Sequence, residues 1–428
     1  MFGWIEAICA RGIRRPGSDA DRWTEGFVVE RFGEIGLQDV HLEPVTLPRW
    51  EPLTWSLHVG GQSFACFPAP HTAAAPDGVE AALTTIDDSP AGKIVLETVT
   101  LNSWPQSFVR DRLAIDHYDP DGEFDTLTQV LPFGRQLQAV LEPAIEAGAA
   151  GWIGVFDAPW ETCDYYVPYD GVARPIPGVW VSRSDGERIR HLMEGGTTAR
   201  IVVDSTRSDV VTHNVIGALE GASDEWVIVG SHHDGPWVSA VEDASGVALV
   251  CAQASYWAQV TPGERPHNLL FIVTSGHMVH GAGTAAFIAS HKDFLRSVVL
   301  EVHLEHTARE CRGDGGKLVV TDDPETAWWF TTRNDTLLTS VKEAIAAEGI
   351  HRSLILPPDV FGPNPTTDGG FYHLEGVPLV NFLEAPMYLF DSQDTPDKIH
   401  EASLEPLTRA AIRIIGSTRG VTASQMRS

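Results

Sequence analysis

Basic residues are scarce in this chain of 428 residues: 30 Lys and Arg stand against 58 Asp and Glu, a formal charge of −28. A surface that negative repels phosphate backbones and anionic lipid, so neither nucleic acid nor a membrane surface is an expected partner. Cysteine is scarce as well. The five present (Cys9, Cys66, Cys163, Cys251, Cys311) are an odd number with no close pair; they indicate neither a disulfide framework nor a thiolate zinc site and fit a reducing cytoplasm. Long apolar runs are missing too. Nothing approaches the roughly 20 consecutive apolar residues that span a bilayer, and Glu6 interrupts the short apolar run near the start, so the chain reads as soluble and without a signal peptide. No internal repeat or low-complexity tract is found. With 43% hydrophobic residues the chain can bury a full core, and its length predicts two domains, or one enlarged by an insertion.

The segment SDADRWTEGFVVERFGEIGL predicts an amphipathic helix, with capping residues Ser18 and Asp19, apolar positions at helical spacing and Gly36 as a stop. Strand-like segments follow and run into PAPHTAAAPDG, which reads as a boundary near residue 80. From about 81 to 208, short β-branched runs such as KIVLETV, WIGVFD and ARIVVD surround one expected helix, LQAVLEPAIEAGAAG, and predict a small β-rich unit. From 209 to 428 the texture changes to apolar strands separated by helices: EWVIVG, DASGVALVCAQASYWA, NLLFIVTS, GTAAFIASHKDFL, SVVLEVHLE, PLVNFLE. The expected fold class is α/β, a mainly parallel sheet flanked by helices, interrupted by the β-rich unit.

Histidine is unevenly spread. Of 17, eight (His232, His233, His267, His277, His280, His291, His303, His306) fall between positions 232 and 306. Three successive strands end in polar clusters: VIVG in SHHDGP, FIVT in SGHMVHG, and LEVHL in Glu305 and His306. In a parallel sheet these ends share one rim, where ligands bind, so His232, Asp234, His277 and Glu305 are expected in one pocket. Asp243, at the start of the next helix, either caps that helix or turns toward the rim.

The run HNVIGALEGASDEWVIVGSHHDGPWVSAVEDASGVALV resembles the zinc-dependent aminopeptidase and glutamate carboxypeptidase II-like metallopeptidase family. RGIRRPGSDAD, TDGGFYHLEGVP and SQDTPDKI resemble it in the same order, and GKIVL, AIEAGAAGWIGVF and IPGVWVS resemble its inserted protease-associated domain. The resemblance implies two zinc ions sharing a bridging Asp. Carried over, it makes His232 and Asp243 metal ligands, gives Asp234 the role of orienting His232, puts His277 at the position of the general base, and replaces the usual Asp of the third strand end by Glu305. Two ligands of the second metal fall on Met278 and near Phe390, ahead of Asp394 and Thr395. Neither suits zinc, manganese or iron(II).

The expectation is therefore a single divalent ion (zinc, manganese or iron(II)) on His232, Asp243 and Glu305, activating a water for which His277 is the base. The reaction would be hydrolysis of a C–N bond in a small molecule or short peptide. His306, Asp391 and Tyr165 are candidate substrate contacts. Tyr165 belongs to APWETCDYYVPYDG, whose Trp160, Tyr165, Tyr166 and Tyr169 form either a local aromatic cluster or a lid favouring apolar substrate parts. His233 and His280 read as solvent-facing, and Asp368 as setting a turn. Two alternatives stay open: a conventional two-metal aminopeptidase with replacement ligands, and a binding protein without catalysis on the same fold. Oligomerisation is possible.

Overall fold

The computed structural model describes residues 1–132 and 134–427. Four strands form a parallel centre: Asn268–Thr274, Trp226–His232, Val298–Leu304 and Leu379–Glu384, adjacent in that order. They are buried nearly throughout, as continuous apolar runs covered on both faces should be. The helices Asp19–Ile35, Ser245–Gln259 and Glu401–Ser417 and several shorter ones flank them. The first has the expected ends: the Ser18 hydroxyl accepts from Asp21 N, and Gly36 at φ 90° closes the helix, a conformation glycine adopts without steric cost. Beyond the centre the sheet turns antiparallel on both sides, through Thr198–Leu219 and through Ala327–Thr331.

The β-rich unit has a core of its own, built from Leu57, Val59, Leu83, Ile94, Ile153, Val155, Val179, Ile201 and Val203 among others. Its seams fall elsewhere than at 80 and 208. Two 22-residue strands, Gln38–Val59 and Thr198–Leu219, pair antiparallel along their length and run from this core into the main sheet. The position 208 lies inside a continuous strand, and residues 57–64 already belong to the smaller core. The expected helix over LQAVLEPAIEAG is broken into Arg135–Gln138 and Glu142–Glu146. Pro143 sits at the start of the second piece, where its missing N–H is harmless. All five cysteines are free thiols, and among the described residues no helix is long and apolar enough to cross a membrane.

Candidate metal and catalytic site

The carboxyl ends of the parallel strands bring the polar clusters together. His232 ends one strand, Ser275 to Met278 follow the next, Glu305 and His306 follow the third, and Glu384 ends the fourth. Each imidazole is held through Nδ1. The carbonyl of Asp234 lies 3.0 Å from His232 Nδ1 and that of Glu384 lies 2.9 Å from His306 Nδ1. The Asp368 carboxylate lies 2.8 Å from His277 Nδ1, and Glu301 lies 2.9 Å from His303 Nδ1. A carbonyl or carboxylate can only accept, so each Nδ1 carries a proton and each Nε2 is turned toward the shared space.

Around those nitrogens lies a set of buried polar atoms that make no hydrogen bond. His232 Nε2, His303 Nε2, His306 Nε2 and both carboxylate oxygens of Glu242 and of Glu305 have no hydrogen-bond partner. They are close all the same: His306 Nε2 is 2.6 Å from Glu242 Oε2, His303 Nε2 is 3.0 Å from Glu305 Oε1, and His232 Nε2 and His277 Nε2 are each 3.5 Å from Glu242 Oε1. The atoms converge on shared space without the angles of hydrogen bonds. Two triads meet the spacing of a metal site, His232 with Glu242 and His306, and His232 with His277 and Glu305, the ligand atoms of each lying within 4.8 Å of one another. A buried carboxylate left unpaired costs several kcal/mol, whereas imidazole nitrogens and carboxylate oxygens around one point are the donor set of a divalent ion. The residues present fit such an ion.

Protonation follows the same layout. Burial holds His232 well below the ordinary imidazole range, which keeps its lone pair available. Burial also works against charge on His277, but Asp368, Glu242 and Glu305 outweigh it and raise the group to about 10. For Glu305 burial opposes ionisation, and His303 more than compensates, lowering it below the usual range. The rings of His232 and His277 stack with centroids 4.1 Å apart.

The structure moves several expected roles. Asp243 caps the helix at the edge of the cluster: Oδ1 accepts from Gly246 N at 2.9 Å and His306 N at 3.1 Å, and Oδ2, 3.8 Å from His232 Nε2, accepts from the Ser231 hydroxyl. With non-helical backbone angles at both positions, the side chains of adjacent residues diverge, and Glu242 faces the cluster where Asp243 was expected. Asp234 orients His232 through its backbone carbonyl, while its carboxylate accepts from His277 N at 3.0 Å and Met278 N at 2.9 Å. It shapes the loop that carries His277. His306, expected as a substrate contact, points Nε2 at Glu242. Tyr165 is fully buried, donates to Pro132 O at 2.6 Å and stacks on Phe156; it is core. Asp391 is buried opposite Tyr165 in a β-bridge and accepts from Gln393 N at 2.9 Å. Met278 is buried in the core, and the Phe390 ring packs 4.7 Å from that of Tyr169. His280 is exposed as expected, but His233 is buried against Asp21.

Besides Glu242, two further residues of the site were not anticipated in their roles. Asp368 stands in the expected turn, its carbonyl accepting from Phe371 N at 3.2 Å at the start of helix Gly369–Leu374, but its carboxylate also works: besides His277 it accepts from Thr274 Oγ1 at 2.9 Å and Thr284 Oγ1 at 2.7 Å, and the cationic neighbours overcome burial to keep it ionised. Tyr169, from the β-rich half of the chain, stacks on His277 with centroids 5.7 Å apart. Both line a cleft of about 560 Å³ that opens from His277.

A parallel α/β centre with an imidazole and carboxylate cluster on its carboxyl rim defines a metallopeptidase-type domain. Residues 214–415 match the model of peptidase family M28. The solved structures agree on the fold. The zinc aminopeptidase of Bacillus subtilis superposes with a TM-score of 0.71 at 16% identity, covering 99% of this chain and 96% of that one. A peptidase M28 precursor of Shewanella amazonensis gives 0.72 at 18%, covering 98% and 92%, and an aminopeptidase of an Aneurinibacillus strain gives 0.64 at 18%, covering 97% and 91%. Among curated proteins, human transferrin receptor protein 2 is 24% identical over 250 residues, 52% of this chain. The chain spans 29% of the length of that relative.

Proposed function

We propose that this protein is a metal-dependent hydrolase that uses one divalent ion, zinc, manganese or iron(II), to cleave a C–N bond, an amide or peptide-like bond of a small molecule or short peptide. The observation that carries this reading is the group of seven buried ligand atoms without hydrogen bonds on His232, Glu242, His303, Glu305 and His306, crowded so closely that His306 faces Glu242 and His303 faces Glu305 at ion-pair distance. Each such atom costs about 1–3 kcal/mol if nothing binds it, so a cluster of them is intelligible as a cation site and not as packing.

His232, Glu242 and His306, one of the two triads at metal spacing, would hold the ion, with Glu305 beside them. When bound, it supplies Lewis acidity toward a carbonyl oxygen and lowers the pKa of nearby water. His277 stays outside that set as the base. Its Nδ1–H is fixed by Asp368 and its Nε2 faces the site; an ion that neutralises Glu242 and Glu305 would remove part of what raises His277 to about 10 and free Nε2 to take a proton from water and return it to the leaving nitrogen. His303 would brace Glu305 from behind. One ion rather than two is supported by the side chains where a second would need ligands: Met278 lies in the apolar core and Phe390 packs on Tyr169. The similar structures described as aminopeptidases support peptide-like substrates, and the separate core of the β-rich unit supports an inserted protease-associated domain. Five unpaired thiols support a reducing compartment such as the cytoplasm.

The test is reconstitution. Protein stripped by chelation should hydrolyse no amide, regain hydrolysis with zinc, manganese or iron(II), and lose it again in His277→Ala. A protein whose melting temperature none of these ions raises, and which cleaves nothing when loaded, would instead be a binding protein on this fold.

A further inference from the structure

Glu242 lies on the stretch between the strand end at His232 and the helix start at Ser245, and that stretch is buried almost throughout. A buried loop needs partners for its backbone polar groups. Two charged side chains from opposite ends of the sequence supply them.

Arg14, fully buried, takes the carbonyls. Its Nε donates to His233 O at 3.0 Å, its Nη1 to Val238 O and its Nη2 to Ser239 O at 2.7 Å, with Glu242 O a further 3.5 Å contact of Nη2. The main chain of Arg14 joins the same loop, its N–H donating to Trp237 O at 3.2 Å and its carbonyl accepting from Gly235 N at 3.1 Å. A planar fork of five donors can span several carbonyls at once, which a single ammonium cannot. Asp394, also fully buried, takes the amides: Oδ1 accepts from Val241 N at 2.8 Å and Oδ2 from Glu242 N at 2.9 Å.

The two grips meet at Glu242. Its N–H is bonded to Asp394 and its carbonyl faces Arg14, so the peptide planes on both sides of its Cα are held. Peptide groups are planar, and fixing the two that flank a Cα fixes where its side chain points.

We infer that Arg14 and Asp394 are positioning residues of the metal site, holding the backbone of Glu242 so that its carboxylate meets His232 and His306 while neither of the two touches the ion. The inference rests on the reading of Glu242 as a ligand and adds the residues that make it one.

The test titrates zinc into chelator-stripped full-length protein against a chromophoric chelator, and records the visible spectrum of the cobalt(II)-loaded protein and the melting temperature without metal. The variants are Asp394→Asn, which keeps the shape but leaves one of the two amides without an acceptor, and Arg14→Lys. Arg265→Lys is the control. Arg265 is likewise buried and donates to Trp257 O at 2.8 Å and Glu220 O at 2.6 Å, but it precedes the amino end of strand Asn268–Thr274, away from the rim. Asp394→Asn and Arg14→Lys should each weaken zinc binding on the order of 10- to 100-fold and alter the cobalt bands. Arg265→Lys should lower the melting temperature and leave affinity and bands as in the native protein. The two substitutions grip the loop from different sides, so either one that folds decides the matter. Native affinity and native cobalt bands in the clamp variants, or an equal loss in Arg265→Lys, overturns the inference. The two readings fail separately. Weakened zinc binding in the variants of a protein that hydrolyses no amide when loaded sustains the clamp and overturns the hydrolase; amide hydrolysis with affinity unmoved in the variants does the reverse. Native protein that takes neither zinc nor cobalt overturns both.

Discussion

His277 Nδ1 lies 2.8 Å from Asp368 Oδ1 across 91 residues of sequence. The carboxylate fixes both the tautomer and the direction of the imidazole, and two threonine hydroxyls fix the carboxylate. This is the arrangement of a base with its orienting acid. Replacing Asp368 by Asn keeps the shape and removes the charge. In steady-state kinetics on a cleaved amide, kcat should fall on the order of 10²-fold or more, with KM little changed. A fall in KM-dependent terms alone would mean that Asp368 serves binding and not the base.

Glu242 and Asp243 make a sharper comparison, because neighbours in sequence are given different work. Glu242→Gln should cost the protein most of its bound metal. Asp243→Asn leaves an oxygen able to accept from Gly246 N and His306 N, and should retain metal with a modestly lower melting temperature. Elemental analysis of the two variants decides it, and the reverse pattern would return the ligand role to Asp243.

Much of this was legible in the chain itself. The apolar runs of the four parallel strands announce a covered sheet, and their polar ends announce the rim, because both follow from local composition and period. What was not legible depends on backbone turns and long-range packing. Spacing could not say which of two adjacent acids faces inward, since that is decided by the φ and ψ of Glu242 and Asp243. Nothing near Asp368 marks it as the partner of a histidine in another segment. Tyr165 and Tyr169 lie four residues apart in one aromatic cluster, and only the fold buries the first and stacks the second on His277. The limits of the β-rich unit were hidden because paired 22-residue strands carry the chain through them.

Gly246 starts the helix behind the site, and a Cβ there would collide with Asp243 Oδ2, Ser231 Oγ and the carbonyl of Leu304. Gly246→Ala is expected to destabilise the protein by on the order of 1–3 kcal/mol and to displace the cap that holds Glu242 and His306 in register. Urea denaturation together with metal content measures both effects. Native stability in this variant would show that the helix start is free to shift.

Glu325 gives the stability a pH dependence of definite sign. It is 9% exposed, and burial, with Glu310 nearby, raises its carboxyl to about 7 from an ordinary 4.5. Between those values the folded protein keeps a proton that the unfolded chain releases. Stability is therefore full below about pH 4.5 and falls as pH rises through about 7, by on the order of 3 kcal/mol at most. Glu325→Gln should match the native protein at pH 5 and exceed it at pH 8 in urea unfolding. A variant less stable than native at both values would contradict this.

The most direct measurement is the number of divalent ions per chain in protein purified without chelator, taken alongside His232→Ala and His277→Ala. The expected result is close to one ion per native chain, lost with His232→Ala and retained with His277→Ala. About two ions per chain, or one that persists when His232 is removed, would contradict the single-ion site.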